Sequence, residues 1–398
     1  MGWIPEEWDV KSISQIGKIY SGGTPDTTNN KYWNGNINWC TPTDITALKD
    51  NKYIGNTNVK ITIEGLKNSS SKVLPKNSLI VCTRASIGNC AITIDELSTN
   101  QGFKNIVPNS LANIEFLYYT ISYIKNRLIK LGNGSTFLEV PKSDFEKLSI
   151  SIPPYENQIA IANILCKWDN SIEKTQKLIE LKEKRKKSLM RNLLSGKKRL
   201  NKFKDKWKIT PLDEILIPTL RPVNKPDEQF LALGIRSHGK GTFLKYDFDP
   251  QKIDMETLYK VKENDLVVNI TFAWEGAIAI VKKEDEGALV SHRFPTYTFN
   301  NKTGIVDFFR YVIIQPRFKY LLELISPGGA GRNRVLSKKD FLKLEVKIPF
   351  VEEQSAIASI LQTADKEINL LMQKLESLKQ QKKGLMQVLL TGKIRVIK

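Results

Sequence analysis

The chain has 398 residues, and its 61 basic against 42 acidic residues give a formal net charge of +19. A hydrophobic content of 41% and a charged content of 26% are typical of a soluble globular protein of two or three domains. No run of about 18 apolar residues occurs, which excludes a membrane-spanning helix. The first ten residues carry acids where a secretory signal carries bases, so we expect a cytoplasmic protein.

The excess of positive charge favours a polyanionic partner, most simply nucleic acid, over a basic surface that is only solvated. The four cysteines all lie in the first half and include no Cys-x-x-Cys pair, so we interpret them as free buried thiols. Only His238 and His292 could supply imidazole ligands, which gives a metalloenzyme poor support.

The first region, residues 1–151, is rich in β-formers, Gly, Asn and Thr. Short apolar runs at 78–82 and 89–94 predict strands. A helix is predicted within 152–198, because Pro153 and Glu156 suit its start and Gly196 suits its end.

The second region, residues 199–347, repeats the style of the first, with predicted strands at 265–269 and 276–280. A second helix is predicted within 348–398, after Pro349 and before Gly392. The two regions share landmarks but few other residues, and these landmark pairs are Trp8 and Trp207, Ile13 and Leu212, Leu79 and Leu266, Gly88 and Gly276, and Phe103 and Phe294.

The segments around the two helix starts are copies of each other. Residues 144–165 align without a gap on residues 340–361, 196 positions later, with thirteen of twenty-two residues identical. This period is far longer than the roughly 20–50 residues of solenoid repeats, so it indicates a duplicated half-protein. A pseudo-two-fold object of this kind suits a partner that is itself two-fold, such as duplex DNA.

An apolar 4-3 spacing runs through both helices and is typical of a coiled coil. The connectivity predicts an antiparallel pair about 60 Å long, with a globular region at each end; a helix packed only on its own region is the alternative. Lys182, Lys186 and Lys382 interrupt this seam, and we expect them to snorkel or to face acids of a partner. The apolar seam positions are Ile161, Leu165, Trp168, Ile172, Ile179, Leu189, Ile357, Leu361, Ile368, Leu371, Leu375, Leu378 and Leu385.

Two segments look like catalytic motifs and fail on one residue each. Residues 234–241 resemble a phosphate-binding P-loop, but Gly241 stands where the magnesium-binding Ser or Thr belongs. Residues 152–155 resemble the signature of amine methyltransferases, but Ile152 cannot accept a hydrogen bond. We therefore interpret the first as a flexible basic loop and the second as a helix-entry turn.

Predicted loops concentrate side chains that can read base edges or contact phosphate. A run of thirteen Lys and Arg within residues 182–208 could add further phosphate contacts. Each candidate alone has an ordinary structural alternative. The set is Trp39, Arg84, Asn100, Gln101, Lys104, Arg236, Lys240, Trp274, His292, Arg293, Arg332, Asn333 and Arg334.

Across nearly its whole length the chain resembles the specificity subunit of type I restriction-modification systems. The resemblance is carried by the two helix segments and by phrases at residues 22–25, 37–44, 84–88, 99–103, 234–239 and 291–294. It adds Thr24, Thr41, Asp44, Ser86 and His238 to the candidate DNA-binding residues.

The resemblance implies an α+β fold, with two target recognition domains separated by a long antiparallel pair of spacer helices. Each domain would read one half of a bipartite DNA target, and the helices would set the spacing and bind two modification subunits. S-adenosylmethionine, ATP and magnesium would be held by the modification and restriction subunits, with no catalytic residue or cofactor in this chain. The alternatives are a sequence-indifferent nucleic-acid adaptor and an enzyme with its own methyltransferase activity.

Overall fold

A computed structural model describes residues 4–49, 51–133, 138–329 and 334–396. The chain divides into two compact units. Unit 1 comprises Met1–Leu178 and Leu371–Lys398, and unit 2 comprises Ile179–Leu370. Among the described residues, no helix is both long enough and apolar enough to cross a membrane.

The first globular region combines short strands with short helices. In chain order its elements, followed by the first long helix, are β1 (Asp9–Ser12), α1 (Ile13–Ile16), β2 (Gly17–Ser21), β3 (Trp33–Cys40), α2 (Pro42–Ala47), β4 (Tyr53–Ile54), β5 (Val59–Ile61), α3 (Ile63–Lys67), β6 (Leu79–Cys82), β7 (Cys90–Thr93), β8 (Ser98–Thr99), β9 (Phe103–Pro108), α4 (Ile114–Tyr123), α5 (Lys125–Lys130), α6 (Lys142–Lys147), β10 (Ser149–Ile152) and α7 (Tyr155–Leu193).

The main sheet of unit 1 has the strand order β2-β9-β6-β7-β4, and a smaller sheet has the order β5-β3-β8. Strand β1 pairs separately and antiparallel with β10. Successive residues of a strand point to opposite faces, so β6 sends Leu79 into one apolar core and Ile80 into another. Strands β6 and β7 confirm the prediction from the two apolar runs.

The second globular region has a similar mixture of elements. In chain order, with the second long helix last, these are β11 (Lys208–Pro211), α8 (Leu212–Ile215), β12 (Leu216–Pro218), β13 (Pro222–Asn224), β14 (Phe230–Ile235), β15 (Thr242–Phe248), β16 (Thr257–Lys260), β17 (Leu266–Val268), β18 (Ile278–Ile280), β19 (Leu289–Val290), β20 (Thr296–Phe299), α9 (Val306–Val312), α10 (Pro316–Leu324), α11 (Lys338–Leu342), β21 (Glu345–Ile348) and α12 (Val351–Leu389).

Unit 2 repeats the framework of unit 1. Its sheet β12-β20-β17-β18 has the same order as β2-β9-β6-β7, and β11 pairs with β21 as β1 pairs with β10. The landmark glycines Gly88 and Gly276 both have left-handed backbones, with φ of 82° and 81°. The units differ in their second sheets, since the order in unit 2 is β13-β16-β19-β14-β15.

Both long helices lie where the sequence predicts them. Each begins two residues after its proline, Pro153 or Pro349, and ends three residues before its glycine. Gly196 and Gly392 have φ of 69° and 72°, the left-handed conformation that commonly stops a helix.

Within each unit the two helices pair antiparallel. In unit 2, Lys182 of α7 pairs with Glu367 of α12, and Lys186 pairs with Asp365. In unit 1, Lys382 of α12 pairs with Asp169 of α7. The seam lysines therefore face acids, which was one of the two expected alternatives, and the sister helix supplies these acids.

The predicted seam positions are all buried or partly buried. The N-terminal parts of both long helices also pack against a globular region. Ile161 and Leu165 belong to the core of the first region, and Ile357 and Leu361 belong to the core of the second. The seam therefore joins each globular region to the helix pair as well as joining helix to helix.

The same three-residue contact is built in each unit. The Tyr311 hydroxyl donates to Asp365 Oδ2 at 2.7 Å, and Lys186 Nζ lies 5.7 Å from the Tyr311 ring centre. Tyr119 likewise donates to Asp169, and Lys382 Nζ lies 5.2 Å from its ring centre. Burial, reinforced by the bond to the aspartate, raises the pKa of Tyr311, so the phenol stays protonated as a donor.

The cysteine prediction holds for three of the four residues. Cys40, Cys82 and Cys90 are free and buried, whereas Cys166 is free but partly exposed. The Cys166 Sγ lies 3.0 Å from Lys52 Nζ. Cys166 is on α7, beside the first region rather than inside its core, which explains its exposure.

Candidate nucleic-acid interface

In unit 1 several candidate residues meet around Gly102. The Thr83 amide donates to the Gly102 carbonyl at 2.8 Å, and the Gly102 amide donates to Asn100 Oδ1 at 2.9 Å. A methyl group at Gly102 would lie 3.6 Å from Pro42 and 3.7 Å from Arg84. The loops at 41–44, 83–89 and 99–102 are therefore close neighbours.

A second set of contacts ties the loop at residues 22–25 to the same place. The Gly23 amide donates to the Thr99 carbonyl at 2.9 Å, and Thr24 donates to Gln101. Trp39 is buried, and its Nε1 donates to the Gly23 carbonyl at 2.9 Å. Four loops that are distant in sequence thus form one surface, on which Gln101 is exposed and Thr24 is partly exposed.

Some candidates in unit 1 have structural partners that occupy their polar atoms. Asp44 is buried and accepts bonds from the Thr41 amide at 2.8 Å and hydroxyl at 2.7 Å, which stabilises the start of α2. Lys104 is buried against Glu139, with 3.1 Å between Nζ and Oε1. Trp39, Asp44 and Lys104 therefore support the loops from the buried side of the surface.

Arg84 combines a structural contact with exposure. Its Nε lies 2.6 Å from Glu139 Oε2, yet 42% of its side chain remains exposed. Burial raises the pKa of Glu139, but the hydrogen bonds from Arg84 and Lys104 outweigh burial and hold that pKa below its ordinary value. Arg84 is thus a positioned cation in the turn that also holds the partly exposed Ser86.

In unit 2 the segment 269–275 links the other candidate loops. The His238 amide donates to the Glu275 carbonyl at 2.8 Å, and the Ile270 amide donates to the Arg293 carbonyl at 3.0 Å. The Leu336 amide donates to the Ile270 carbonyl at 2.9 Å. The loops at 236–241, 291–294 and 334–336 are therefore assembled around this one segment.

Cations and hydrogen-bonding groups cover this surface of unit 2. Arg236, His238, Lys240, His292 and Arg293 are exposed. Arg236 is steadied by the Thr242 carbonyl at 2.8 Å and by the Phe243 ring at 5.0 Å. This surface offers the side-chain types that contact phosphates and base edges.

Trp274 and Arg334 form a stacked pair on the same surface. The Arg334 guanidinium lies 5.0 Å from the Trp274 ring centre and donates to the Ser326 carbonyl at 3.2 Å. Trp274 Nε1 is buried and has no hydrogen-bond partner among the described residues. The candidates Arg332 and Asn333 lie outside the described residues.

The structure adds two lysines that the sequence reading missed. Lys125 packs against the turn at Gly88, where a methyl group would lie 2.7 Å from its Cγ, and its Nζ donates to Asn89 at 2.7 Å. Lys319 packs against Gly276 in the same way, with 3.6 Å to its Cγ. Aligning the two landmark glycines could have directed attention to the helices that pack on them.

Similarity to known proteins decides the family to which the chain belongs. The family model described as "Type I restriction modification DNA specificity domain" matches residues 5–183 and 235–380. The chain belongs to this family. Its two matched segments each take in candidate interface residues and most of one long helix, so the duplication is also a duplication of the family's domain.

Named relatives of this specificity-domain protein are themselves specificity subunits. The type I restriction enzyme MjaIX specificity subunit of Methanocaldococcus jannaschii is 38% identical over 186 residues, 46% of this chain and 43% of that protein. The chain thus covers less than half of that relative. The MjaVIII specificity subunit of the same organism is 24% identical over 416 residues, 99% of this chain and 94% of that protein.

Solved structures share the fold at low sequence identity. The type I restriction-modification S subunit from M. genitalium gives a TM-score of 0.55 at 17% identity and covers 97% of this chain and 96% of that one. The HsdS subunit from Thermoanaerobacter tengcongensis gives a TM-score of 0.53 at 16% identity, and the match covers 98% of each chain. The α+β class expected from the sequence is therefore confirmed.

Proposed function

We propose that this chain is the DNA-reading subunit of a type I restriction-modification complex, and that each unit reads one half of a bipartite target. The observation that carries the proposal is one strand framework bearing two unlike sets of loops. Unit 1 presents Arg84, Asn100 and Gln101, whereas unit 2 presents Arg236, Arg293 and the Trp274–Arg334 pair. Two different sets of loops on equivalent strand frameworks suit two different half-sites.

The two long helices supply the other half of the proposal. Paired antiparallel helices can set a constant spacing between half-sites and can bind two modification subunits. The chain itself would be non-catalytic and would act on DNA in the cytoplasm. Modification and restriction subunits would hold S-adenosylmethionine, ATP and magnesium, flip an adenine from the duplex and methylate it, or cleave the DNA. Among the described residues, no cluster of three or more His, Cys, Asp or Glu side chains could hold a metal.

The test is selection from random DNA. The full chain with its modification subunit is incubated with random duplexes, and the bound fraction is sequenced. We expect enrichment of a motif with two short halves and a constant gap. Enrichment of no motif would instead support a sequence-indifferent adaptor. Transfer of labelled methyl groups to DNA by the purified chain alone would identify an enzyme.

One substitution links the motif to a named residue. Arg293→Ala should relax one position of one half-site and leave the other half-site intact, at a cost of about 1–3 kcal/mol for that base. The control is Arg395→Ala, an exposed arginine beyond the end of α12 and outside the candidate interface, which should keep the motif unchanged. A uniform loss of affinity for Arg293→Ala would restrict that residue to phosphate contact.

The spacing is tested separately from the half-sites. Deleting one heptad from α7 and one from α12 keeps the seam in register and should shorten the gap in the selected motif. Both half-sites should remain the same. Altered half-sites with an unchanged gap would contradict a role of the helices in setting the spacing.

A further inference from the structure

Unit 2 contains an apolar groove just beyond the end of α7. Leu194 and Ser195 line one side of it, and Val346 and Lys347 of β21 line another. The groove has a volume of about 230 Å³, and Phe318 adds to its apolar wall. Apart from Arg191, which belongs to the basic run at residues 182–208, none of its lining residues is a candidate DNA-binding residue.

Unit 1 contains a groove at the corresponding place, just beyond the end of α12. Leu390 and Thr391 line one side, and Ile150 and Ser151 of β10 line another. Its volume is about 460 Å³, and Ile124 contributes to its wall. This groove also shares no residue with the candidate DNA interface.

The two grooves are built from equivalent positions. The 196-residue repeat relates Leu194 and Ser195 to Leu390 and Thr391, and it relates β21 to β10. The helical walls are also equivalent, because Val312 of α9 corresponds to Thr120 of α4 by the same 192-residue offset that relates Tyr311 to Tyr119. The duplication has therefore kept this surface, whereas the reading loops have diverged.

Exposed cations surround both grooves. Arg191, Arg317 and Lys347 are exposed around the groove in unit 2, where Glu345 is the single carboxylate that the described residues contribute to the lining. Arg127 and Lys393 are exposed around the groove in unit 1, whose lining contains no carboxylate among the described residues. A partner that fits both grooves thus combines an apolar side chain with neighbouring acidic residues.

We propose that each groove receives one apolar side chain from an acidic segment of a modification subunit, so that one such subunit binds to each unit. This inference rests on the proposed function and names the surface that binds this partner. Two like grooves suit a partner present in two like copies, whereas two different half-sites require unlike surfaces. An apolar floor also gives a DNA phosphate no hydrogen-bond donors to replace water.

The test fills the grooves in the full chain and counts the modification subunits bound. Ser195→Trp should remove one modification subunit, Thr391→Trp should remove the other, and the double variant should remove both, measured by light scattering after size exclusion. The matched controls Ser110→Trp in unit 1 and Thr257→Trp in unit 2 lie at exposed positions outside the grooves, the two long helices and the candidate DNA interface, and should keep both subunits.

A second pair of variants needs no large side chain. Arg317→Glu with Lys347→Glu reverses charge at exposed positions and should weaken binding of one modification subunit at least tenfold in calorimetry. Unchanged stoichiometry and affinity in both sets of variants would overturn the proposal. So would an effect limited to DNA affinity or to self-association of the chain, which would assign the grooves to DNA or to a second copy.

The same experiment separates this proposal from the function on which it rests. A wild-type chain that binds no modification subunit would contradict both the groove proposal and the proposed function. If the wild-type chain binds two modification subunits and the groove variants bind them equally well, only the proposed docking site is contradicted. The selected DNA motif would then still support the proposed function.

Discussion

Gln158 and Gln354 lie 196 residues apart and make the same three hydrogen bonds at the starts of the two long helices. The Gln158 amide group donates to the carbonyls of Pro153 and Leu111, both at 2.9 Å, and its Oε1 accepts from the Asn113 amide at 2.8 Å. Both glutamines are buried, with exposed fractions of 1% and 0%. Each one joins the first turn of its helix to the globular region beside it.

Removing this glutamine should destabilise the unit that contains it. Gln354 bonds to Pro349, Thr303 and Ile305 in the same pattern, so Gln354→Leu leaves three backbone groups unpaired. We expect a loss of at least about 2 kcal/mol in the free energy of unfolding, since each stranded buried group costs about 1–3 kcal/mol. Urea unfolding measures this loss, and Gln387→Leu, at an exposed position of α12, is the control. Equal stabilities would contradict this role.

The Lys186–Asp365 pair should couple the two helices in unit 2. Lys186→Met leaves Asp365 with Tyr311 as its remaining partner and should cost about 1–2 kcal/mol, a reduced value because both side chains are partly exposed. In a Tyr311→Phe background, which removes the hydroxyl that donates to Asp365, adding Asp365→Leu should recover most of that loss, and a double-mutant cycle gives the coupling. The exposed neighbour Lys187→Met should change stability by less than about 0.5 kcal/mol. Strictly additive effects would rule out the coupling.

Lys125 and Lys319 should contribute to DNA affinity without reading sequence. Each packs on the left-handed glycine of an equivalent turn in the candidate interface. Lys125→Ala and Lys319→Ala should each weaken binding to every duplex by a similar factor and lower the salt slope of the binding constant by about one. Fluorescence anisotropy at several salt concentrations measures both quantities. A change confined to one position of the selected motif would instead indicate base contact.

Glu139 should make the stability of unit 1 depend on acid. The folded-state pKa of Glu139 lies below its ordinary value of 4.5, so its contribution is complete above pH 4.5 and is lost as the pH falls through the folded pKa. Glu139→Gln should therefore cost about 1 kcal/mol at pH 7 and progressively less in acid. Thermal unfolding between pH 7 and pH 3 measures the difference. A difference that is constant with pH would contradict the assignment.

The sequence by itself determined the duplication, the two long helices and their seam. It also determined the strands predicted from short apolar runs in both globular regions. These features depend on periodicity and on local signals such as Pro153 and Gly196, which act over a few residues. The seam lysines were also visible as interruptions of the pattern. Their partners were not, because Asp365 lies 179 residues after Lys186 and only the antiparallel pairing brings the two together.

Only the tertiary structure decided which candidate side chains are available to a partner. Lys104 and Arg84 have the same charge, yet Lys104 is buried on Glu139 while Arg84 remains partly exposed. Burial and pairing depend on contacts between residues far apart in sequence, and composition or spacing carries no record of them. For the same reason the two grooves became visible only when the helix ends, the short strand pairs and the neighbouring helices were assembled in each unit.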